Sequence, residues 1–201
     1  MDLSKGRVAR YLTHPQVSID PAVDVTRWSL NETGKIRVMH LAANLGALKH
    51  TTRIVSSLEV KPLETAQPFA DALGIGVELN PEMHENDRSS TGFLPPDEFE
   101  DVADQFFAQP ECSVRGWERA IDAQARILNA VKACLPSGDG GDILFVGHGG
   151  VGTLLYCALS CLPIDRRYDK GPNGGGNWFQ FSLDQMKPLQ GWQPMETLSG
   201  L

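Results

Sequence analysis

The sequence predicts an α/β domain in which a mostly parallel β-sheet is covered by helices on both faces. Short β-prone runs alternate with longer segments whose apolar residues recur at helical spacing. The chain has 201 residues, of which 41% are apolar and 21% are charged, and this balance suits one soluble domain with a sizeable core. Because neither an internal repeat nor a linker is visible, we interpret residues 1–201 as a single domain.

The first half of the chain contains strands that alternate with helices. The predicted strands are 8-VARYLTH-14, 52-TRIVSS-57 and 75-IGVELN-80. One helix is predicted over 31–48, and another over 62–73, where Pro62 suits the first turn and Gly74 the stop. The segment 15–30 is interrupted by prolines and is expected to be an irregular loop.

The second half begins with a polar loop over 81–96 and is mainly helical. Helices are predicted over 97–107, 114–135 and 150–162, and strands over 142–147 and 178–184. The helix 114–135 carries one apolar stripe that is expected to be core, formed by Trp117, Ile121, Leu128, Val131 and Leu135. Residues 185–201 contain Gly and Pro without a pattern, so we expect a poorly ordered tail.

Charge and hydropathy exclude several classes of protein. The net charge is −7 and no basic stripe is visible, which argues against a nucleic-acid partner. The N-terminus lacks the apolar run of a signal peptide, and no stretch is apolar for long enough to span a membrane. We therefore expect a cytoplasmic protein. Cys157 and Cys161 share a face of an apolar helix and are interpreted as buried, reduced thiols, because a zinc site would need closer cysteine spacing or histidine partners.

The stretch 142-DILFVGHGGVGTLLYCAL-159 runs from a strand through a glycine turn into a helix. A G-x-G-x-x-G pattern that begins at Gly147 matches the dinucleotide-binding fingerprint in form. That fingerprint needs an acidic residue about 20 positions later at the end of a second strand, whereas Asp165 and Asp169 lie in a loop. The imidazole of His148 also occupies the turn. We therefore favour a turn that presents His148, with dinucleotide binding as a minor alternative.

Several polar side chains follow strands of the predicted sheet. His14 ends the first strand, Ser56 and Ser57 end the second, Glu85 lies just after the third, and His148 ends the fourth. Ligands of open α/β sheets bind beyond the carboxyl ends of the strands, so these groups are expected to share one crevice. An imidazole can attack phosphorus, a second one can stabilise charge on the transferring oxygens, and a carboxyl group can protonate the departing alkoxide.

From residue 8 to about residue 183, the chain resembles the histidine phosphatase superfamily, in its phosphoglycerate-mutase-like branch. The stretches that carry the resemblance, in chain order, are 11-YLTHP-15, 29-SLNETG-34, 56-SSLEVKPLETA-66, 82-EMHE-85 and 145-FVGHGG-150. The resemblance implies a three-layer αβα sandwich that hydrolyses a small phosphorylated substrate without a metal or cofactor. It also implies that His14 is transiently phosphorylated, that His148 lies beside it and that Glu85 is the proton donor.

The chain departs from the family pattern where that pattern binds phosphate. The family motif R-H-G reads Thr13-His14-Pro15, and Lys61 stands where the family has its second arginine. Thr13 brings no charge, and a lysine is a point cation rather than a bidentate fork. Arg88, three residues after Glu85, is the candidate that restores charge. The candidate substrate-binding residues are therefore Thr13, Lys61, Arg88 and, from the glycine turn, Gly149.

The small number of cations at the predicted phosphate site favours a phosphatase over a mutase, because a mutase must hold a second phosphate. It also motivates an alternative from another class, a catalytically weak relative that binds a phosphorylated ligand in a regulatory role. Substrate specificity is expected to depend on the segment 81–110 and on the glycine-rich loop 171–177.

Overall fold

A mixed sheet with the strand order β3-β2-β4-β1-β5-β6 forms the centre of the molecule. The computed structural model describes residues 6–135, 140–169 and 174–200. The strands are β1 (Val8–Thr13), β2 (Thr51–Ser56), β3 (Val77–Leu79), β4 (Asp142–Gly147), β5 (Asn177–Ser182) and β6 (Lys187–Pro194). Strands β1 to β4 run parallel, whereas β5 and β6 are antiparallel to their neighbours. The predicted, mostly parallel sheet is confirmed.

Helices cover both faces of this sheet. In the described ranges they are α1 (Glu32–Ala43), α2 (Val60–Leu73), α3 (Pro96–Ala108), α4 (Ala120–Ala133) and α5 (Gly149–Leu159). One core cluster joins the sheet to α3, α4 and α5, and the other joins it to α1 and α2. No helix in these ranges is long and apolar enough to cross a membrane. The architecture is therefore the three-layer αβα sandwich that the resemblance implies.

Strand β4 shows how the sequence builds two cores. Ile143 and Phe145 point into one cluster, while Leu144 and Val146 point into the other. Successive side chains of a strand face opposite sides, so a continuous apolar run is what a central strand between two helical layers requires. The carboxyl end of this strand leads directly into the glycine turn.

The helix predicted over 114–135 is shorter in the structure and begins at Ala120. Residues 114–116 form a 3-10 turn that is broken by Arg115 with φ 50° and Gly116 with φ 82°. Ile121, in the first turn of the helix, is 40% exposed, so the prediction that it belongs to the core was wrong. Buried positions of α4 are Ala120, Ala123, Ile127, Ala130 and Val131.

Cys161 and the C-terminal segment also differ from expectation. Cys161 is exposed because α5 ends at Leu159 and the chain turns away with φ 54° at the cysteine. Residues 185–200 are not an unstructured tail, since β6 pairs with β5 as an edge strand. Met195 and Leu198 then return to the core and are both fully buried. An edge strand is held by backbone hydrogen bonds and does not require a periodic sequence. The sequence pattern therefore did not indicate β6. Residue 201 lies outside the described part.

Candidate active site

The carboxyl ends of β1, β2 and β4 bring the strand-ending side chains together. The His14 N–H donates to the Gly147 carbonyl over 3.0 Å, and the Ser57 N–H donates to the Val146 carbonyl over 3.2 Å. The rings of His14 and His148 meet edge to face, with centroids 5.4 Å apart and an interplanar angle of 77°. The structure therefore places the two predicted imidazoles side by side.

His148 is fully buried. Its Nε2 lies 3.1 Å from Ser57 Oγ and 3.3 Å from Glu59 Oε1. Its Nδ1 has no hydrogen-bond partner among the described residues. A buried polar atom without a partner destabilises a protein by about 1–3 kcal/mol, so this nitrogen is suited to an oxygen supplied by a ligand.

Tyr11 explains the glycines of the turn. Its hydroxyl accepts from the His148 N–H over 3.0 Å and donates to the His148 carbonyl over 3.1 Å, which holds the turn against β1. A Cβ at Gly147 would lie 2.3 Å from the Tyr11 hydroxyl oxygen, and one at Gly152 would lie 2.6 Å from the Tyr11 ring. These glycines therefore make room for a tyrosine, and their spacing does not indicate a pyrophosphate site.

Glu85 is bound to the N-terminus of α5. Its carboxylate accepts from the N–H of Gly150 over 3.1 Å and of Val151 over 2.9 Å, and it also accepts from the Asn86 N–H over 3.0 Å. Burial opposes ionisation of this group, but the charges of His148 and Arg88 and the backbone N–H donors lower its pKa to about 2. In the ligand-free protein Glu85 is therefore an anion.

Glu59 is a buried carboxylate of the site that the sequence patterns do not indicate. One oxygen contacts His148 Nε2 and accepts from the Glu85 N–H over 3.1 Å, while the other oxygen pairs with Lys61. Glu59 is the N-cap residue of α2. An acidic residue ahead of a proline-started helix is a common feature of helix N-termini, so the sequence alone gives it no special weight.

Lys61 is not among the residues that line the cavity in front of His14. Its side chain is only 5% exposed, and its ammonium group pairs with Glu59 and donates to the Val25 carbonyl over 2.8 Å. Its charge is thus balanced within the protein, although it was predicted to bind substrate.

Thr13, another predicted substrate ligand, has a different role in the structure. Its buried hydroxyl donates to the Asn177 carbonyl over 3.3 Å and accepts from the Asn177 N–H over 3.0 Å. These bonds tie the end of β1 to the start of β5. Both functions of the Thr13 hydroxyl are therefore used within the protein.

Replacing Thr13 with valine is expected to lower the free energy of unfolding by about 1–2 kcal/mol, since the Asn177 backbone groups lose this partner. The KM for a phosphate ester should stay within about twofold of the wild-type value. Urea denaturation and steady-state kinetics measure the two quantities. A large rise in KM with unchanged stability would instead assign Thr13 to substrate binding.

A cavity of about 210 Å³ lies in front of His14 and is also lined by Glu85, Asn86, Arg88 and Gly149. Arg88 stacks on the Phe99 ring, with its guanidinium carbon 4.8 Å from the ring centroid, and forms no ion pair within the described ranges. Asn86 Nδ2 is buried and has no partner among the described residues. Gly149 is the first residue of α5, where backbone N–H groups have no acceptor within the helix. The cavity thus presents several donors and one available cation.

The glycine-rich loop lies behind His14. Residues 171–173 of the loop are outside the described residues. The Gly176 N–H donates to the His14 carbonyl over 2.9 Å. Gly175 has φ 94°, and a Cβ there would lie 2.3 Å from the His14 carbonyl oxygen. This part of the loop fixes the backbone of His14. Across the described residues, no group of three or more His, Cys, Asp or Glu side chains could hold a metal ion.

Burial of His148 makes the stability of the protein depend on pH. Burial lowers the pKa of His148 to about 3 despite the opposing charge of Glu85, with Lys61 and Arg88 adding to the decrease. An unfolded histidine has a pKa of about 6.5, so the unfolded chain binds the extra proton first as the pH falls. The contribution is therefore fully present above pH 6.5 and is lost towards pH 3. His14 keeps part of its surface exposed, so the prediction uses His148.

The free energy of unfolding should therefore be lower at pH 4.5 than at pH 7.5, with about 2–3 kcal/mol of the decrease due to His148. Urea denaturation of wild type and His148→Asn at both pH values isolates the contribution of His148 to this decrease. The variant should lose less stability on acidification. An equal loss in both proteins would show that His148 does not carry the effect.

Comparisons with known proteins agree with this geometry. A family model described as histidine phosphatase superfamily, branch 1, matches residues 21–189, a range that begins after His14.

A structure of Bacillus stearothermophilus YhfR is 22% identical, with a TM-score of 0.76, and covers 92% of this chain and 95% of that chain. The complex of mycobacterial glucosyl-3-phosphoglycerate phosphatase Rv2419c with inorganic phosphate is 23% identical, with a TM-score of 0.70 and coverages of 93% and 94%. Phosphoglycerate mutase from Bacillus anthracis str. Sterne is 15% identical, with a TM-score of 0.72 and coverages of 96% and 96%. No curated protein matches the chain significantly.

Proposed function

Because the chain belongs to the histidine phosphatase superfamily, we propose that it is a phosphomonoester hydrolase that works through a phosphohistidine at His14. The observation that carries the proposal is the pair of imidazoles, with centroids 5.4 Å apart, beside a cavity that also presents Arg88. An imidazole nucleophile, a second imidazole and a cation are the groups that phosphoryl transfer requires.

His14 is set up as a neutral nucleophile. Its Nδ1 lies 2.9 Å from the Pro15 carbonyl oxygen, which can only accept, so this nitrogen carries the proton and Nε2 keeps its lone pair. Burial, with added repulsion from His148 and Lys61, lowers the pKa of His14 to about 3. The ring is therefore uncharged at neutral pH. In the first step Nε2 forms a bond to phosphorus as the bond to the ester oxygen breaks.

The donors of the cavity stabilise the charge on the phosphoryl oxygens. Arg88 supplies the positive charge, and Asn86 Nδ2 and the Gly149 N–H supply hydrogen bonds. His148 donates from Nδ1 in its imidazolium form, which the bound phosphate dianion favours, because Nε2 then carries the proton that the Glu59 carboxylate accepts. The two unpartnered atoms among these, on Asn86 and His148, support this assignment because a phosphoryl oxygen would satisfy each of them. Glu59 and Lys61 hold His148 and balance each other's charge.

Glu85 serves as acid and then as base. A phosphate dianion beside Glu85 raises its pKa, since like charges disfavour each other, and the carboxyl group can then protonate the departing alkoxide. In the second step the carboxylate takes a proton from water, whose oxygen attacks the phosphohistidine. Inorganic phosphate leaves, and His14 is restored. An aryl ester, whose oxygen leaves easily, depends less on this protonation.

Arg88→Ala is expected to lower kcat/KM for an aryl phosphate by about 10²-fold, chiefly through KM, because the available cation of the cavity is lost. Arg27→Ala is the matched control, since Arg27 is exposed and does not line the cavity. Steady-state kinetics of both variants against wild type is the measurement. Equal activity of the two variants would remove Arg88 from the site.

A regulatory, catalytically weak relative is the second candidate. The pairing of Lys61 with Glu59 and the structural role of Thr13 favour it, because both reduce the cations available to phosphate. The same scarcity favours hydrolysis over mutase chemistry. Turnover of 4-nitrophenyl phosphate by the purified protein supports the phosphatase, whereas saturable binding of phosphate esters without turnover supports the regulatory protein.

A further inference from the structure

A second cavity, of about 270 Å³, adjoins the cavity in front of His14. Its walls are mostly apolar and include Ile19, Val25, Trp28, Phe93, Leu94 and Phe99. Phe99 belongs to α3, and the other five residues come from the loop before α1 and from the segment that leads into α3. An apolar cleft that continues from a polar catalytic centre is typical of a site for the organic part of a substrate.

The aromatic walls present carbon rather than polar atoms. The Trp28 indole N–H donates to the carbonyls of Asp20 and Val23 over 3.0 and 3.1 Å, so its polar atom is satisfied by the loop. The Trp28 and Phe93 rings lie 6.0 Å apart at a tilt of 60°. The two rings therefore form an apolar wall that gains from the burial of another apolar group.

Arg88, Phe99 and Glu100 line both cavities and join them. The Arg88 guanidinium carbon lies over the Phe99 ring, so one cation borders the phosphoryl position and the apolar cleft at the same time. The carboxylate of Glu100 pairs with Arg166, which balances its charge. A phosphoryl group bound at His14 and Arg88 would thus direct its ester substituent along Phe99 towards Trp28 and Phe93.

We infer that this cleft binds the leaving group of the substrate and that the substrate is an apolar phosphomonoester, with an aryl or a medium-length alkyl group. The inference rests on the proposed function. A sugar phosphate would place hydroxyl groups against walls that offer few hydrogen bonds, and a bisphosphate would need a second cation beside Arg88. Both classes are therefore poorer substrates.

Binding of n-alkylphosphonates tests the cleft without any turnover. The phosphonate replaces the phosphoryl group but cannot be hydrolysed, and its chain can be lengthened from methyl to hexyl. We expect the affinity, measured by calorimetry, to rise about twofold or more for each added methylene. Phe93→Ser and the milder Ile19→Ser, at a residue that is 60% exposed, should flatten this series. Leu189→Ser, at a 56% exposed residue that does not line the cleft, should leave it unchanged.

The possible results separate the two proposals. A flat series in the wild type overturns the apolar cleft. Equal binding of n-alkanols that lack the phosphonate overturns the assignment of the cleft to the leaving group of a phosphate ester. A rising series together with no turnover of any ester supports the cleft and contradicts the proposed hydrolase. A rising series that both cleft variants leave intact places the alkyl chain elsewhere and also overturns the inference.

Discussion

His14→Ala is expected to lower kcat/KM for 4-nitrophenyl phosphate by at least about 10³-fold, because no other side chain takes over the attack on phosphorus. The fold should survive, since within the described part of the chain the His14 side chain makes one hydrogen bond, to the adjacent Pro15 carbonyl. Steady-state kinetics gives the activity, and urea denaturation reports whether the protein is folded. His50→Ala is the matched control, because His50 is exposed and distant from the cavity.

Near-normal turnover by folded His14→Ala would contradict the mechanism. A loss of activity in His50→Ala as well would indicate a general effect of histidine replacement. A loss restricted to His14→Ala, with unchanged stability, assigns the chemistry to His14.

Lys61→Met is expected to lower the free energy of unfolding by about 3–5 kcal/mol, since it leaves the buried Glu59 carboxylate without its partner. The double variant Glu59→Gln/Lys61→Met should recover most of that loss, because it removes both charges. Urea denaturation measures all three proteins. Lys35→Met is the control, as Lys35 pairs with Glu32 on the surface with 52% and 86% of the side chains exposed, and should cost less than about 1 kcal/mol.

The result for Lys61 distinguishes a structural ion pair from a phosphate ligand. If Lys61 bound substrate instead, Lys61→Met would raise KM and change stability little. Equal stability of Lys61→Met and Lys35→Met would contradict the buried pair.

The fold could be predicted because strong patterns specify it. Apolar strand runs such as 142–147 need two covered faces, and Gly74, with φ 68°, ends α2 where the glycine was expected to stop it. The failures lie where the pattern is weak. Strand β6 is stabilised by backbone pairing at the sheet edge, and α4 begins only after the turn at Arg115 and Gly116, with Ile121 exposed in its first turn.

The imidazole pair could also be predicted, because parallel strands that end in histidine bring those residues to one edge. Glu59 and Asn86 could not, since an acidic N-cap residue and a loop asparagine have common structural uses. Neither could the contacts of Lys61 and Thr13. Lys61 pairs with the Glu59 side chain and the Val25 carbonyl, and Thr13 binds the backbone of Asn177. A backbone group leaves no signature in a sequence.

The glycine turn shows how a motif can match in form and differ in cause. Gly147 and Gly152 have the spacing of a dinucleotide fingerprint, but the space that they leave is filled by Tyr11. Tyr11 in turn holds the backbone of His148 through both functions of its hydroxyl. The spacing of the two glycines therefore makes room for the tyrosine that holds the His148 backbone in place. The single-domain interpretation and the cytoplasmic location stay predictions.

The covalent intermediate is the most direct test of the account. Rapid quenching of the protein with an aryl phosphate in alkali, followed by peptide mass spectrometry, should find one phosphoryl group on His14, stable in base and lost in acid. The group should form no more slowly than the ester turns over, and it should be absent from His14→Ala. Turnover without a phosphoryl group on His14, or with one on another residue, would contradict the central claim.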